Sequence, residues 1–147
     1  MIRTAIVSDA IDVAALVSEV TTAATGATTL FVGTVRDVNE GRSVSGIEYT
    51  AYAAMAGEEL QRIAIEASAH FEGIRIAVEH RVGTLLLTDI SVAIAVAHER
   101  RAPALDASRF VIEELKRRVP IWKREHYVEG DWQWVDPTAQ HSGAASS

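Results

Sequence analysis

The chain holds fourteen basic residues, of which only two are lysines, and both sit in one stretch: Lys116-Arg117-Arg118-Val119-Pro120-Ile121-Trp122-Lys123. Where a chain otherwise uses arginine, a retained lysine points to a need for the amine itself. Arginine stays charged, whereas an amine can release a proton, attack a carbonyl or act as an acid. Neighbouring cations lower a lysine pKa and favour such a role. The competing account is structural, because cations at the end of a helix complement its dipole.

Other candidates lie at the ends of apolar runs. His98 closes one such run and precedes Glu99, Arg100 and Arg101, where side chains emerge into a loop. Arg36 ends the run Gly33-Thr34-Val35, with an ion pair to Asp37 or Glu40 as the alternative role. Phe31, Tyr49, Tyr52 and Trp122 are candidates for the walls of a pocket or for the core. The five histidines show no helical metal spacing, and a motif such as His-Glu-x-x-His is absent. With no cysteine, the chain has neither a thiolate zinc site nor a disulfide framework, and it cannot carry sulfur as a persulfide. No metal and no cofactor is expected.

These residues need elements to position them. Apolar periodicity predicts a strand over 3–7, a helix capped by Ser8 or Asp9 and running to Val20, and a buried strand over 27–35. In that first helix Ile11, Ala14, Val17 and Val20 are expected to face inward. Asp37 to Ser43 reads as a flexible turn, and 44–52 as a strand with one packed face. A second helix is expected over 54–71, with Leu60, Ile63, Ala64, Ala67 and Phe71 on one stripe. Strands over 75–81 and 90–97 flank a short apolar piece, Thr84 to Leu87. Pro103 suits the first turn of a third helix, which Pro120 stops. Strands over 121–127 and 132–135 follow, with Trp132 and Trp134 on one face. This order, with helices interrupting hairpins, predicts an α+β fold with helices on one side of a largely antiparallel sheet.

The length of 147 residues suits one domain, expected over 1–136, with a small polar tail at 137–147 expected to be disordered. The formal charge of −6 argues against nucleic-acid binding. Yet residues 100–124 carry eight bases against three acids, which suits an anion site. No apolar run is long enough to cross a membrane, and a cytoplasmic protein is expected.

Three blocks in order resemble the catalytic (large) subunit family of molybdopterin synthase. The first is Gly26 to Asp37 (GATTLFVGTVRD), followed by Ile47 to Tyr52 (IEYTAY) and Met55-Ala56. The second is Glu79 to Leu85 (EHRVGTL). The third, and the most specific, is Leu115 to Glu125 (LKRRVPIWKRE), with Trp134-Val135 closing it. The resemblance implies an α/β hammerhead-type fold with a small additional β subdomain, and a homodimer within a heterotetramer. It also implies a small ubiquitin-like sulfur-carrier partner whose C-terminal Gly-Gly thiocarboxylate enters a pocket on this chain. The implied reaction is sulfur transfer to cyclic pyranopterin monophosphate, forming the dithiolene of molybdopterin. By motif, Lys116 and Lys123 are the catalytic lysines, Arg36 binds an anion and Phe31 lines the same region. His98 matches the family histidine, and either Arg100 or Arg101 its arginine. This loop, His98 to Leu105, is slightly longer than the family pattern and has Leu105 in place of a phenylalanine. A non-catalytic module that binds a Gly-Gly tail is the alternative reading.

Overall fold

The computed structural model describes residues 1–128 and, by its backbone, the strand Trp132–Val135. The expected tail at 137–147 and the facing of the Trp132 and Trp134 side chains lie outside the described residues. The elements are β1 (Ile2–Val7), α1 (Val13–Val20), β2 (Ala27–Thr34), β3 (Val38–Asn39), β4 (Arg42–Ala51) and α2 (Ala53–His70). Then follow β5 (Arg75–Arg81), β6 (Gly83–Leu86), β7 (Ile90–His98), α3 (Arg101–Arg118), β8 (Ile121–Tyr127) and β9 (Trp132–Val135).

Four strands form the first sheet in the order β1-β5-β7-β2, antiparallel except for the parallel pair β1–β5. Strand β7 lies inside this sheet and is buried at every residue from Ser91 to Ala97. It reads as an unbroken apolar run because both of its faces are covered. On one face Ile76, Val78, Val92, Ile94 and Val96 meet Leu60 and Ile63 of α2 and Val111 and Leu115 of α3. On the other, Ala77, Ala93, Ala95 and Ala97 meet Leu16 and Val20 of α1. The α+β layout is as the sequence predicts, and the one-sided placement holds for α2 and α3. Helix α1 takes the opposite face, where a floor of alanines lets it approach.

Helix α1 also begins later than expected. Asp12, not Ser8 or Asp9, is its cap, accepting from the Ala15 N–H at 3.1 Å. The later start changes the buried face. Leu16 and Val20 are buried, Ile11 is buried just ahead of the helix, and Ala14 is exposed.

In the second sheet β4 pairs with β3, β6 and β8, and β8 pairs with β9, all antiparallel. This is the additional β unit. The segment expected to be a flexible turn is an ordered hairpin, with Val38 opposite Ser43 and Asn39 opposite Arg42. Its tip uses positive φ at Glu40 (51°) and Gly41 (78°), the backbone form that matches strand twist in a two-residue turn.

Candidate active site

Helix α3 ends in three cations, and the structure separates their roles. Arg117 is exposed and bonds Glu114 on its own helix at 2.8 Å. Arg118 ties α3 to α2 through Glu59 at 2.7 Å and Glu66 at 2.8 Å. Lys116 instead turns into a cleft lined by Tyr49, His80, Leu115, Val119 and Ile121. The helix-end account therefore serves Arg117 and Arg118 and leaves Lys116 unexplained.

Strand β8 alternates: Ile121, Lys123, Glu125 and Tyr127 are buried, while Trp122, Arg124 and His126 are half-buried. Period two thus sends Lys123 inward along with the apolar residues. Its side chain is 1% exposed, and its ammonium lies 3.3 Å from Oε1 of Glu125, which is fully buried. Both oxygens of Glu125 also accept from the amide nitrogen of Asn39, at 3.0 and 2.9 Å. A buried ion pair recovers little more than its own desolvation cost. Stability alone is a poor reason to keep one here.

The charge of Lys123 acts on Lys116. Burial, and then the charge of Lys123, pushes the Lys116 amine down to about 8. Burial also lowers the Lys123 pKa; Glu125 opposes that shift, the nearby Arg36 guanidinium adds to it, and Glu40 opposes it. His80 forms part of the floor. Burial, followed by the charge of Lys116, pushes its pKa down to about 3, so the ring is neutral at physiological pH. Its Nδ1 lies 2.9 Å from the Arg81 carbonyl, which can only accept, so the proton sits on Nδ1. Tyr49 meets His80 edge-on with ring centroids 5.3 Å apart, and burial raises its hydroxyl to about 12.

Of the residues singled out in the sequence, the structure brings together Lys116, Lys123 and Arg36, the last exposed just beyond β2. Phe31 lies mid-β2, opposite Ile94, and packs against the main core. Tyr49 is a cleft wall, whereas Tyr52 is 71% exposed and meets Trp122 edge-on. His98, Arg100 and Arg101 sit elsewhere. His80 pairs with Val92 near the start of β7 and His98 ends that strand, so about 20 Å separates them. Both ring nitrogens of His98 are engaged with backbone: Nδ1 accepts from the Arg100 N–H and Nε2 donates to the Glu72 carbonyl, each at 2.9 Å. Glu125, Asn39 and His80 are the site residues that sequence reasoning did not assign. The period-two alternation carried forward from Lys123 would have placed Glu125. Among the described residues, no cluster of histidine and carboxylate side chains is placed to hold a metal.

This geometry can be set beside known proteins. Residues 6–118 match the family described as MoaE protein. The chain belongs to the MoaE family. A molybdopterin synthase catalytic subunit from Halalkalibacterium halodurans is 38% identical over 133 residues, covering 90% of this chain and 85% of the relative. The crystal structure of molybdopterin synthase from Staphylococcus aureus superposes with a TM-score of 0.85 at 34% identity, covering 89% of this chain and 95% of the other. A complex of subunits 1 and 2 of molybdopterin-converting factor from Helicobacter pylori gives a TM-score of 0.73, with 95% and 91% coverage. At 22% identity that likeness speaks for the fold alone. Membership in the MoaE family makes the chain a catalytic subunit of the molybdopterin synthase kind, an enzyme of molybdenum-cofactor biosynthesis.

Proposed function

We propose that this MoaE-family chain transfers sulfur from the C-terminal thiocarboxylate of a small ubiquitin-like partner to cyclic pyranopterin monophosphate, with Lys116 and Lys123 as its working amines. The observation that carries this reading is their convergence: one buried and one half-buried amine, with Lys123 lowering the Lys116 pKa and the exposed Arg36 lowering that of Lys123. Such a hollow attracts anions, and both a thiocarboxylate and a phosphate are anions. Lacking cysteine, the chain must receive its sulfur on another molecule.

In this reading Lys116 meets the partner's terminal carbonyl as anchor and acid. Lys123 helps to hold the substrate and moves a proton, its charge balanced by Glu125. Arg36 binds the anionic end of the substrate and Phe31 lines the approach. The proposal includes a cytoplasmic setting and a homodimer within a heterotetramer. His98 and one of Arg100 and Arg101 then serve the site of the neighbouring copy.

The test uses the partner with its terminal thiocarboxylate and the pterin substrate. Lys116→Ala and Lys123→Ala should each cut product formation by orders of magnitude while circular dichroism stays that of the unaltered protein. Turnover near that of the unaltered protein in both variants refutes the assignment. The binding-only alternative draws no support from a site in which both amines are present and adjacent. It predicts partner binding without single-turnover conversion.

A further inference from the structure

The hairpin between β3 and β4 does more than cover the second sheet. Asn39 sits on β3 and is 9% exposed, and it reaches across to a residue 86 positions later in the chain. Its amide nitrogen donates to Oε1 of Glu125 at 3.0 Å and to Oε2 at 2.9 Å. The reverse orientation of the amide would set a carbonyl oxygen against a carboxylate, so the electrostatics fix which way Asn39 points. The cost is visible: among the described residues, its buried Oδ1 has no hydrogen-bond partner. A solvated turn has no need of such an arrangement.

We propose that Asn39 is a positioning residue for Lys123, acting through Glu125, so that the closed hairpin sets where the ammonium points and how firmly its proton is held. This rests on the reading of Lys123 as a working amine. Glu125 is shared among three donors: the Asn39 amide, the Lys123 ammonium 3.3 Å away and the Tyr127 hydroxyl. The two amide bonds stabilise the carboxylate when Lys123 gives up its proton. Without them that state leaves a buried anion with the Tyr127 hydroxyl but no amide donor, and the proton is harder to release. Lys123 and Glu125 titrate as a pair, so the effect falls on the pair's release of a proton.

Other groups also face Lys123. Tyr49 lies opposite it on β4, and Lys116 approaches from α3. Arg36 and Glu40 flank β3 and act on Lys123 with opposite sign. Tyr127, under the guanidinium of Arg42 at 3.6 Å, donates one hydroxyl hydrogen bond to Glu125. Residues Trp132 to Val135 of β9 include no titratable type. None of these donates to both oxygens of Glu125 as Asn39 does.

The experiment uses the full chain with 13Cε-labelled lysine. Only two lysines exist, so two resonances report both amines, assigned with Lys116→Ala. Asn39→Leu, similar in size but without a donor, should raise the Lys123 titration by about one pH unit. It should also slow product formation about tenfold or more. The double variant Asn39→Asp with Glu125→Gln restores an amide–carboxylate contact but moves the charge off the nearest neighbour of Lys123. It should fold with an unaltered melting temperature, titrate Lys123 below the unaltered protein, and recover no activity. A Lys123 titration that stays in place in a folded Asn39→Leu protein overturns the proposal. So does an unmoved titration or a fully restored rate in the double variant, which decides the matter if Asn39→Leu does not fold. Absence of product from the unaltered protein counts against sulfur transfer alone, because the titration needs no substrate.

Discussion

Lys116 is half-buried at a point where burial and the Lys123 charge hold its amine at about 8, against an ordinary 10.5. Between those values the unfolded chain binds the extra proton, so stability rises with pH across that window. Below about 8 the penalty for carrying a buried charge is present in full. Lys116→Met keeps the length of the side chain and removes the charge. It should therefore stabilise the protein at pH 7 by on the order of 2 kcal/mol in urea unfolding, and the gain should fade as pH approaches 10.5. The same variant should lose activity, the usual exchange of function for stability at a working site. A lower stability at pH 7 would contradict the desolvation account. In the unaltered enzyme an amine acting as cation and acid predicts that product formation declines as pH rises through about 8. A rise there would instead mark a neutral nucleophile. The scarcity of lysine made both amines legible in the sequence, because the sequence records a choice of side chain. Glu125 and Asn39 were harder to see. A carboxylate in a strand and an asparagine two residues ahead of a glycine both read as solvated, and only the contact between residues so far apart in sequence reverses that.

At the scale of elements, the position of Lys116 depends on the end of α3, and Arg118 fixes that end. Its guanidinium bonds Glu59 and Glu66 of α2 and Glu114 of its own helix. Arg118 holds the Glu59 and Glu66 carboxyls below their usual range, mainly through its hydrogen bonds. Carboxyls with lowered pKa stabilise the fold above their unfolded values, and that stabilisation is lost as pH falls through the folded ones. Arg118→Ala should lower the melting temperature by several degrees at pH 7 and by much less near pH 3, as thermal scans at both values can show. It should also reduce activity, though far less than loss of either lysine. Equal melting temperatures at pH 7 would mean that α2 and α3 are held by their apolar contacts alone. Strong periodicity made several elements readable: β5 and β8 run as expected, and Leu60, Ile63, Ala64 and Ala67 form the buried stripe of α2. The two-residue strand β3 was not readable. Its pairing with β4 follows from turn geometry and from the anchor at Glu125, neither of which leaves a periodic trace. The α1 cap moved for a similar reason, since Ser8, Asp9 and Asp12 are all competent and only packing against the alanine floor chooses Asp12.

Taken as a whole, the chain places the cations singled out as site candidates in two groups. Arg101 opens α3 and Lys116 lies in its last turn, about 22 Å apart along the axis. His98 and His80 are separated by a similar length of β7. No rotation of a side chain closes such a gap, so within one chain the group His98, Arg100 and Arg101 cannot touch what the lysines touch. These residues have no part in the reaction, act within their own chain through the fold, or are delivered by a second copy, and mixed assembly distinguishes the three. A Lys116→Ala chain and a chain carrying Arg100→Ala with Arg101→Ala are each prepared, then unfolded together and refolded. If the site is built across two copies, each variant alone has weak activity. Mixed dimers then contain one site with intact lysines facing an intact loop, and equal mixing puts about half of the molecules in that form. Product formation should therefore recover to about a quarter of that of the unaltered protein, since half the molecules each regain one of two sites. If the distant arginines are irrelevant, their variant is already fully active and mixing merely dilutes it. If they act only within their own chain, through the fold, the mixture yields the average of the two inactive parents. The long α3 and the nine-residue β7 hold the two groups apart, and that separation is what gives the three outcomes different values.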